Sequence, residues 1–182
     1  MNKLEIQKRV LKNGKPLSLE KFFWCEKTRT FETKEDHLVL DFHFIDDITF
    51  KTGSDCTFKT GSYCTFKTGS YCTFKTDSYC TFKTDSYCTF RTSYDCTFDT
   101  SFGCTFRTSY DCTFKTDSDC IFSTGSNCVV IRRDIFEVIK LEKDQKIKLN
   151  GYRILGYKVI EEDKKVTIEL TQSQLDKIKH LI

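Results

Sequence analysis

The sequence contains no alanine, a single proline and no long apolar run. A membrane-spanning helix needs roughly 18 or more consecutive apolar residues, so the sequence predicts no membrane partner. The residues after Met1 include no apolar core of the kind that a secretory signal requires. We therefore expect a cytoplasmic protein, either cellular or assembled into a virion in a host cytoplasm. The balance of 29 basic against 26 acidic side chains also excludes a charge-driven disordered tail.

Cysteine is abundant, with 11 residues in a chain of 182. In a secreted chain this count would suggest disulfides, but a reducing cytoplasm favours free thiols. The cysteines lack the closely spaced pairs and interleaved histidines of structural zinc sites. The sequence therefore predicts neither a metal nor any other cofactor, with disulfides between neighbouring repeats and a soft-metal ladder as alternatives.

An eight-residue repeat dominates the chain. Ten cysteines, from Cys56 to Cys128, recur at intervals of eight, and each opens an octad of the form Cys-Thr-Phe-Lys-Thr-(Gly/Asp/Ser)-Ser-(Tyr/Asp). One octad with Ile48 in the cysteine place precedes them, and Leu40-Asp41-Phe42-His43 resembles a worn copy before that. Repetition at a fixed period indicates a stacked repeat architecture.

Within an octad, the first five residues alternate and the last three carry turn chemistry. Alternation has the period of a half-buried strand, which Thr and Phe favour, and Gly, Asp or Ser at the sixth position tolerates a tight turn. The octad cysteine, phenylalanine and fifth-position threonine therefore share the inner face, while the second-position threonine and the fourth-position cation share the outer face. A helix is excluded, because successive phenylalanines would drift around it by about 80° per repeat.

Two octads per coil leave enough interior width for phenyl rings, with two five-residue strands joined by three-residue turns. The predicted fold is all-β: a flattened parallel β-solenoid with β-rich caps and a short C-terminal helix. A triangular coil of three octads is the alternative. In the two-octad coil each cysteine faces a fifth-position threonine, one sheet stacks Phe50, Phe66, Phe82, Phe98 and Phe114, and the other stacks Phe58, Phe74, Phe90, Phe106 and Phe122. The cysteine part of the predicted core is Cys64, Cys72, Cys80, Cys88, Cys96, Cys104 and Cys112.

The octad run, of which Cys64-Thr65-Phe66-Lys67-Thr68-Gly69-Ser70-Tyr71 is a clean copy, resembles uncharacterised octapeptide-repeat proteins of bacteria, phages and large DNA viruses. Those proteins carry Asn-Thr-Phe-x-Thr-Gly repeats with Asn or Cys at the first position. The segment from Cys128 to Tyr152 is also similar to the one that follows such repeats. The resemblance covers residues 40 to about 160 and implies a β-solenoid without an established activity. This chain departs from the group by using Cys at nearly every first position.

Both flanks are expected to cap the solenoid, because exposed terminal strands would pair with neighbouring molecules. The predicted boundaries are an N-terminal cap over 1–47, the repeat solenoid over 48–127 and a C-terminal cap over 128–182. In the first cap, Lys12-Asn13-Gly14-Lys15-Pro16 indicates a turn between strands, with Phe22, Phe23 and Trp24 as apolar anchors. The second cap is expected to contain strands over 135–141, 146–149, 153–160 and 165–170, then a helix that Thr171 and Gln174 begin as a capping box.

Stacked coils would align the fourth-position side chains into rows. One face would carry Lys59, Lys75, Arg91 and Arg107, and the other Lys51, Lys67, Lys83 and Lys115, interrupted by Asp99. Such rows could contact an anionic polymer, either nucleic acid or polysaccharide. The octads nevertheless hold eight basic and eight acidic residues, and a stretch without net charge binds phosphate weakly. We therefore favour a solvated face, with nucleic acid as the less favoured partner.

The sequence carries no recognisable catalytic motif. His37, His43 and His180 have no Ser or Cys partner in a known arrangement, and there is no glycine-rich phosphate loop. Asp46 and Asp47 indicate a turn, and the fourth-position lysine replaces the second threonine that ice-binding arrays need. We interpret the chain as a non-enzyme: a rigid repeat spacer or scaffold with protein partners, its own copies included. Binding of an anionic polymer is the alternative function.

Overall fold

The computed structural model describes residues 1–161 of the chain. These residues form a parallel β-solenoid of about six turns, made mostly of strands. Its helical elements are α1 (Lys3–Gln7) and a 3-10 helix over Leu19–Lys21. The strands are β1 (Val10–Lys12), β2 (Lys15–Pro16), β3 (Phe23–Cys25), β4 (Thr30–Glu32), β5 (Leu38–Phe42), β6 (Thr49–Lys51), β7 (Thr57–Thr60), β8 (Thr65–Lys67), β9 (Thr73–Lys75), β10 (Thr81–Lys83), β11 (Thr89–Arg91), β12 (Thr97–Asp99), β13 (Thr105–Arg107), β14 (Thr113–Thr116), β15 (Ile121–Ser123), β16 (Cys128–Arg132), β17 (Glu137–Leu141), β18 (Lys146–Leu149) and β19 (Tyr157–Val159).

The strands form two sheets that face each other across the core. The front sheet has the order β19-β18-β15-β13-β11-β9-β7-β5-β1-β2, and the back sheet has the order β17-β16-β14-β12-β10-β8-β6-β4-β3. Octad strands within a sheet pair in parallel with partners two octads away, as Phe66 does with Phe82 and Phe74 with Phe90. This register confirms the two-octad coil and rules out the triangular alternative, which would pair residues three octads apart.

The octad phenylalanines form a continuous apolar spine between the sheets. Each ring from Phe50 to Phe122 is at most 1% exposed. Successive rings within a sheet stack at centroid distances of 4.8–5.3 Å and interplanar angles of 3–11°. Rings of opposite sheets meet edge to face at 4.9–5.6 Å. Both geometries are favourable for aromatic pairs, and the predicted core cysteines are buried beside the rings.

The octad strands are shorter than expected. Most span three residues instead of five, as Thr65–Lys67 does, and the chain bends at the seventh and eighth positions of the octad. Backbone hydrogen bonds between coils continue past the strand ends nonetheless. The N–H of Thr68 donates to the carbonyl of Lys83 at 3.1 Å, and the N–H of Tyr71 donates to the carbonyl of Ser86 at 3.1 Å. Turns and strands are therefore joined into one hydrogen-bonded stack.

The left-handed residue of each turn is the eighth of the octad, within the three-residue turn expected from the sequence. Tyr71 has a φ of 59°, Asp95 of 52° and Gly103 of 69°. Asp and Gly tolerate this region, whereas a bulky side chain there is uncommon. The tyrosines at this position must therefore be held by contacts outside the turn.

The worn copy before Ile48 is present but is displaced from the expected alignment. Strand β5 pairs in parallel with β7, and Leu40, not Phe42, lies opposite Phe58. The displacement arises because five residues, 43–47, connect β5 to Ile48, two more than an octad turn contains. Phe42 instead takes the place of a fifth-position threonine and contacts Phe50 edge to face at 5.1 Å.

A further degenerate copy, Thr30-Phe31-Glu32-Thr33, was not predicted. Strand β4 pairs in parallel with β6, which places Phe31 opposite Phe50 and Glu32 opposite Lys51. The Thr-Phe-x-Thr core was the available signal, but Arg29 in the cysteine place and an irregular spacing obscured it. Parallel pairing in the solenoid therefore runs from β4 to β16, and the domain boundaries at 47 and 127 remain predictions.

The predicted N-terminal turn is confirmed. Strands β1 and β2 form a hairpin around Asn13 and Gly14, which have φ values of 51° and 75°, as expected of a two-residue Asn-Gly turn. Strand β1 then pairs antiparallel with β5 and so covers that edge of the front sheet. Helix α1 was not predicted; Asn2 and Glu5 form a reciprocal capping box at its start.

The three predicted apolar anchors of this cap behave differently. Phe22 is buried against Phe31 at 5.3 Å, and the indole N–H of Trp24 donates to the carbonyl of Met1 at 2.7 Å. Phe23 is 59% exposed, so its assignment as an anchor was wrong. Consecutive residues of a strand point to opposite faces, and Phe23 therefore points away from its two neighbours.

The C-terminal cap consists of antiparallel strands. Strand β17 pairs with β16 on the back sheet, while β18 pairs with β15 and β19 on the front sheet. Strand β18 matches its prediction, whereas β17 and β19 are shorter than the strands expected over 135–141 and 153–160. The expected strand over 165–170 and the terminal helix beginning at Thr171 and Gln174 lie outside the described residues.

Candidate functional site

A row of four cations lies on the outward face of the front sheet, and we call it the front row. Its members are directly opposite one another in register: Lys59 with Lys75, Lys75 with Arg91, and Arg91 with Arg107. All four side chains are exposed. The row carries one cation per coil, and successive coils are about 4.8 Å apart, the usual spacing of neighbouring strands. Within residues 1–161, no acidic side chain forms an ion pair with any of the four.

The corresponding row of the back sheet contains acids. Glu32 lies opposite Lys51 and forms an ion pair with it at 3.0 Å. Asp99 lies between Lys83 and Lys115 in register. Opposite charges therefore partly compensate the back row. On the front sheet Asp41 lies opposite Lys59 at one end of the row without forming an ion pair with it, and no acid lies opposite Lys75, Arg91 or Arg107 in the described strands. The front row is accordingly the stronger candidate for contact with an anion.

Asp99, one of the two acids in the back row, forms an ion pair with Arg133. Arg133 binds Asp99 with one nitrogen at 2.8 Å and Asp117 with two nitrogens at 3.1 and 3.2 Å, and it also donates to the carbonyl of Thr100. A guanidinium can bind a carboxylate in this forked manner, which a lysine cannot reproduce. Asp99 therefore ties the solenoid to the first residue after β16.

Two aromatic ladders run along the turns and were not predicted. Along the turns that follow front-sheet strands, Tyr63, Tyr79, Tyr94 and Tyr110 are 4.8, 5.4 and 4.9 Å apart; we call this the first-edge ladder. The other edge carries Tyr71, Tyr87 and Phe102, 5.2 and 5.1 Å apart. Each ring packs on the next one, so these contacts help to hold the tyrosines that occupy the left-handed eighth position.

The ladders persist although their aromatic residues change position in the octad. Tyrosine occupies the eighth position up to Tyr87, and the seventh position carries the ring in the octads that contain Tyr94, Phe102 and Tyr110. At this change Gly103 takes the left-handed place with a φ of 69°, and a Cβ there would lie 2.8 Å from the ring of Tyr87. The Tyr-to-Asp and Tyr-to-Gly exchanges at the eighth position were the sequence signal for this arrangement.

The buried thiols act as hydrogen-bond donors to the turns. All eleven cysteines are free, and the ten octad cysteines are buried. The Sγ of Cys88 lies 3.5 Å from the carbonyl oxygen of Gly69 in the preceding coil and 3.6 Å from that of Ser86 in the adjoining turn. Other octad cysteines repeat this pattern, as Cys104 does with Asp85 and Phe102. Each such thiol is therefore an additional weak donor to turn carbonyls, some of which, such as that of Ser86, also accept a backbone N–H from a neighbouring coil.

Neighbouring thiols and burial raise the pKa of several of these cysteines. The thiol of Cys104 is the largest influence on Cys88, and together with burial it raises the pKa of Cys88 to about 11. The thiol of Cys120 and burial raise the pKa of Cys104 to about 12. A protonated thiol can donate a hydrogen bond. A thiolate cannot, and the nearby carbonyl oxygens and sulfur atom would repel its charge. Cys88 and Cys104 are therefore suited to remaining protonated at neutral pH, whereas hydrogen bonds from neighbouring thiols lower the pKa of Cys64 and Cys96.

A buried ion cluster fastens the C-terminal cap. Arg132 is fully buried and binds Asp134 through two nitrogens at 3.1 and 2.7 Å, while Glu137 lies 3.6 Å away. Arg132 also donates to the carbonyl of Ile154 at 2.7 Å. Burial opposes ionisation of Asp134, but the Arg132 guanidinium prevails and holds the pKa of that carboxyl below its ordinary value of 3.8. The cluster joins β16 to the loop before β19.

Two open depressions lie beside the front row, on the side of the first-edge ladder. One, of about 180 Å³, is lined by residues that include His43, Lys75, Asp77 and Arg91. The other, of about 490 Å³, is lined by residues that include Arg107, Tyr110 and Lys143. The row is thus bordered by polar concavities that contain both cations and hydroxyl groups.

Other chemistry-bearing residues do not gather into a cluster. His43 packs against the ring of Phe44 at 3.7 Å, the backbone of His37 bonds to Ser54, and His180 lies outside the described residues. Between residues 1 and 161, no three His, Cys, Asp or Glu side chains are grouped to hold a metal ion. The same part of the chain contains no helix long and apolar enough to cross a membrane. No protein-family model, no curated protein and no solved structure matches the chain.

Proposed function

We propose that the chain is a non-catalytic structural module, a rigid repeat spacer or scaffold that contacts protein partners. The observation that carries the proposal is the uninterrupted phenylalanine spine from Phe50 to Phe122. Each coil contacts its neighbours through the same stacked rings and backbone bonds, so stiffness extends along the whole stack. In such a repeat array stability is close to a sum over neighbouring units, and length can change without loss of the fold.

Coil-number variants test this proposal. Deletion of residues 72–87 removes one coil of 16 residues and joins Tyr71 to Cys88 in the octad frame. The shortened protein should fold, and its long dimension in small-angle X-ray scattering should fall by about 4.8 Å; duplication of the same segment should lengthen it equally. Loss of folding, or a long dimension that does not follow coil number, would contradict a spacer.

A second function, contact with an anionic polymer, is favoured by a separate observation. The front row presents Lys59, Lys75, Arg91 and Arg107 in register without an ion-pair partner among the described residues. Four like charges so close together repel, and an anion laid along them would relieve that repulsion. Retention on an anionic column that persists at about 0.15 M salt and is lost when the row is neutralised would support it.

We further propose that the chain belongs with the octapeptide-repeat proteins of bacteria, phages and large DNA viruses and works in a cytoplasm or a virion assembled there. The thiol of Cys88 donates to turn carbonyls, and the amide of an asparagine could donate in the same way. That shared role explains how Cys and Asn could alternate at the first position. The free octad thiols suit a reducing compartment.

A further inference from the structure

We propose that the front sheet binds a linear acidic polysaccharide of the polyuronate class, with one monosaccharide placed over each coil of the front row. This inference rests on the second function, contact with an anionic polymer, and assigns its ligand. The binding face consists of Lys59, Lys75, Arg91 and Arg107 together with the second-position threonines of the same strands.

The first support is the geometry of the row. Phenyl rings in successive front-sheet coils are 4.8–5.0 Å apart with interplanar angles of 3–10°, and the cations above them pair in register from strand to strand, so the row repeats once per coil at a regular spacing. A pyranose residue in an extended 1,4-linked chain has a length close to one strand spacing. A ribbon of such residues can therefore follow the row, with the long Lys and Arg side chains reaching carboxylates at either edge of the ribbon.

The second support is the chemistry between the cations. Thr57, Thr73, Thr89 and Thr105 lie in the same strands two residues before each cation, on the same outward face. Their hydroxyls make no hydrogen bond to another described residue. A uronate residue presents one carboxylate and several hydroxyls, and each coil offers one cation and one hydroxyl. The two guanidinium groups can also bind a carboxylate with two parallel hydrogen bonds.

Nucleic acid fits this face less well. Duplex DNA places a phosphate every 3.4 Å along each strand on a helical path, which differs from a row with one cation per coil. Single strands are usually held by bases that stack on open aromatic faces. In the first-edge ladder beside the row, Tyr79 stacks on Tyr63 and Tyr94 stacks on Tyr110. Each of these rings therefore has one face covered by its partner and not open to a base.

Asp77 gives a local check on the same face. Its side chain lies in the turn after Lys75 and lines the depression that also contains Arg91. No cation pairs with it among the described residues. An acid at this place opposes a polyanion, and Asp77→Asn should raise the affinity by about twofold to fivefold.

The experiment measures binding of the full chain to a mannuronate hexamer by calorimetry at about 50 mM salt. The front-row variant is Lys59→Gln, Lys75→Gln, Arg91→Gln and Arg107→Gln, and the matched back-row variant is Lys51→Gln, Lys67→Gln, Lys83→Gln and Lys115→Gln. Both remove four positive charges, and circular dichroism shows whether each is folded. We expect the front-row variant to lose at least about tenfold in affinity, and the back-row variant less than about threefold.

Further ligands distinguish the polyuronate assignment from the more general proposal that the front row binds an anionic polymer. A neutral cellohexaose should not bind, and affinity for mannuronate should rise with length and level off near the four coils of the row. Equal losses in the two variants would overturn the assignment to the front sheet. Tighter binding of an oligonucleotide or a sulfated oligosaccharide of equal charge, lost in the front-row variant, would refute the polyuronate assignment but keep the anion face. Failure of every anion to bind would refute both.

Discussion

Arg133 and Asp99 lie 34 residues apart in the chain, yet a nitrogen of the first is 2.8 Å from a carboxylate oxygen of the second. Asp99 occupies the fourth position of its octad, where the other back-row octads from Lys51 to Lys115 have lysine. Arg133 follows the last parallel strand, β16, and reaches back across β14 to the coil of β12. The departure from the repeat at Asp99 is thus explained by a contact that secures the end of the solenoid.

Replacing Asp99→Lys would restore the repeat and break this contact. The new cation would lie between Lys83 and Lys115 in register and would leave Asp117 as the one acidic partner of Arg133 among the described residues. Because the groups are partly exposed, we expect the free energy of unfolding to fall by about 1 kcal/mol, measured by urea denaturation. Asp85→Lys is the matched control, since Asp85 has no ion pair among the described residues. A larger effect at Asp85 than at Asp99 would contradict the role given to Asp99.

The buried pair of Arg132 and Asp134 should dominate the stability of the C-terminal cap. Arg132→Ala leaves a buried carboxylate without its cation, and we expect a loss of about 3–5 kcal/mol in urea denaturation. The double change Arg132→Met and Asp134→Asn removes both charges and should recover a large part of that loss. If the single and double variants were equally unstable, the loss would come from packing and not from the unpaired charge.

The same pair predicts an acid dependence. The folded pKa of Asp134 lies below its ordinary value of 3.8, so its contribution is fully present above that value and is lost as the pH falls through the folded pKa. Urea midpoints of the parent chain should therefore decline as the pH is lowered below about 4. The decline should be smaller in the Arg132→Met, Asp134→Asn variant, and identical profiles would exclude this pair as a cause.

The phenylalanine spine should be most sensitive at its middle. Phe82 is fully buried and touches Phe66 and Phe98 at 4.9 and 4.8 Å within its sheet. Phe82→Ala removes those contacts and leaves a cavity, so we expect the free energy of unfolding to drop by about 3–5 kcal/mol. Phe102→Ala, at an aromatic ring that is 43% exposed, should cost clearly less. Comparable losses at the two positions would show that a buried ring of the spine contributes no more to the free energy of unfolding than a partly exposed ring.

The period of the repeat was enough to predict the spine and its register. An interval of eight with an alternating first half permits one inward face, and a two-octad coil then pairs Phe66 with Phe82 without any further information. Because the octads are nearly identical, the register predicted for one coil also holds for the next coil. The exception is the worn copy, where the longer turn over 43–47 shifted Leu40 and Phe42 by two places.

Contacts between turns could not be read from local preferences. A tyrosine such as Tyr71 in the left-handed region is disfavoured by itself, and it is accounted for by the ring that lies one coil away. The difference in charge between the two rows likewise depends on the sheet register, because Asp99 and Glu32 become neighbours of back-row lysines, and Asp41 of Lys59, only after the coils are stacked. These features are properties of residues two octads apart and not of adjacent residues.

Burial of the thiol ladder predicts selective modification. Cys25 is partly exposed, and Thr28 lowers its pKa through hydrogen bonds, whereas the ten octad thiols are buried. A maleimide at pH 7 should therefore label one cysteine in the native chain and eleven after denaturation, as counted by mass spectrometry. Cys25→Ser should abolish the native labelling. Rapid modification of octad thiols without unfolding would show that the ladder is accessible.

The raised pKa values of Cys88 and Cys104 predict that the contribution of these two thiols to stability falls in alkali. Cys88 and Cys104 titrate at about 11 and about 12 in the folded chain, above the ordinary value of 9.0. Below that value their contribution is fully present, and between pH 9 and about 11 each thiol should remove up to about 1.4 kcal/mol of stability per pH unit. Urea midpoints measured from pH 7 to 11 test this directly.

The double variant Cys88→Ser and Cys104→Ser separates these thiols from other groups that titrate in alkali. A serine hydroxyl can still donate to the turn carbonyls but does not ionise in this range, so the variant should fold and lose less stability than the parent chain between pH 9 and 11. A double change to valine keeps an apolar side chain but removes the donor, and it should be less stable than the serine variant even at pH 7. Parallel pH profiles for parent and serine variant would mean that the thiol protons do not support the turns.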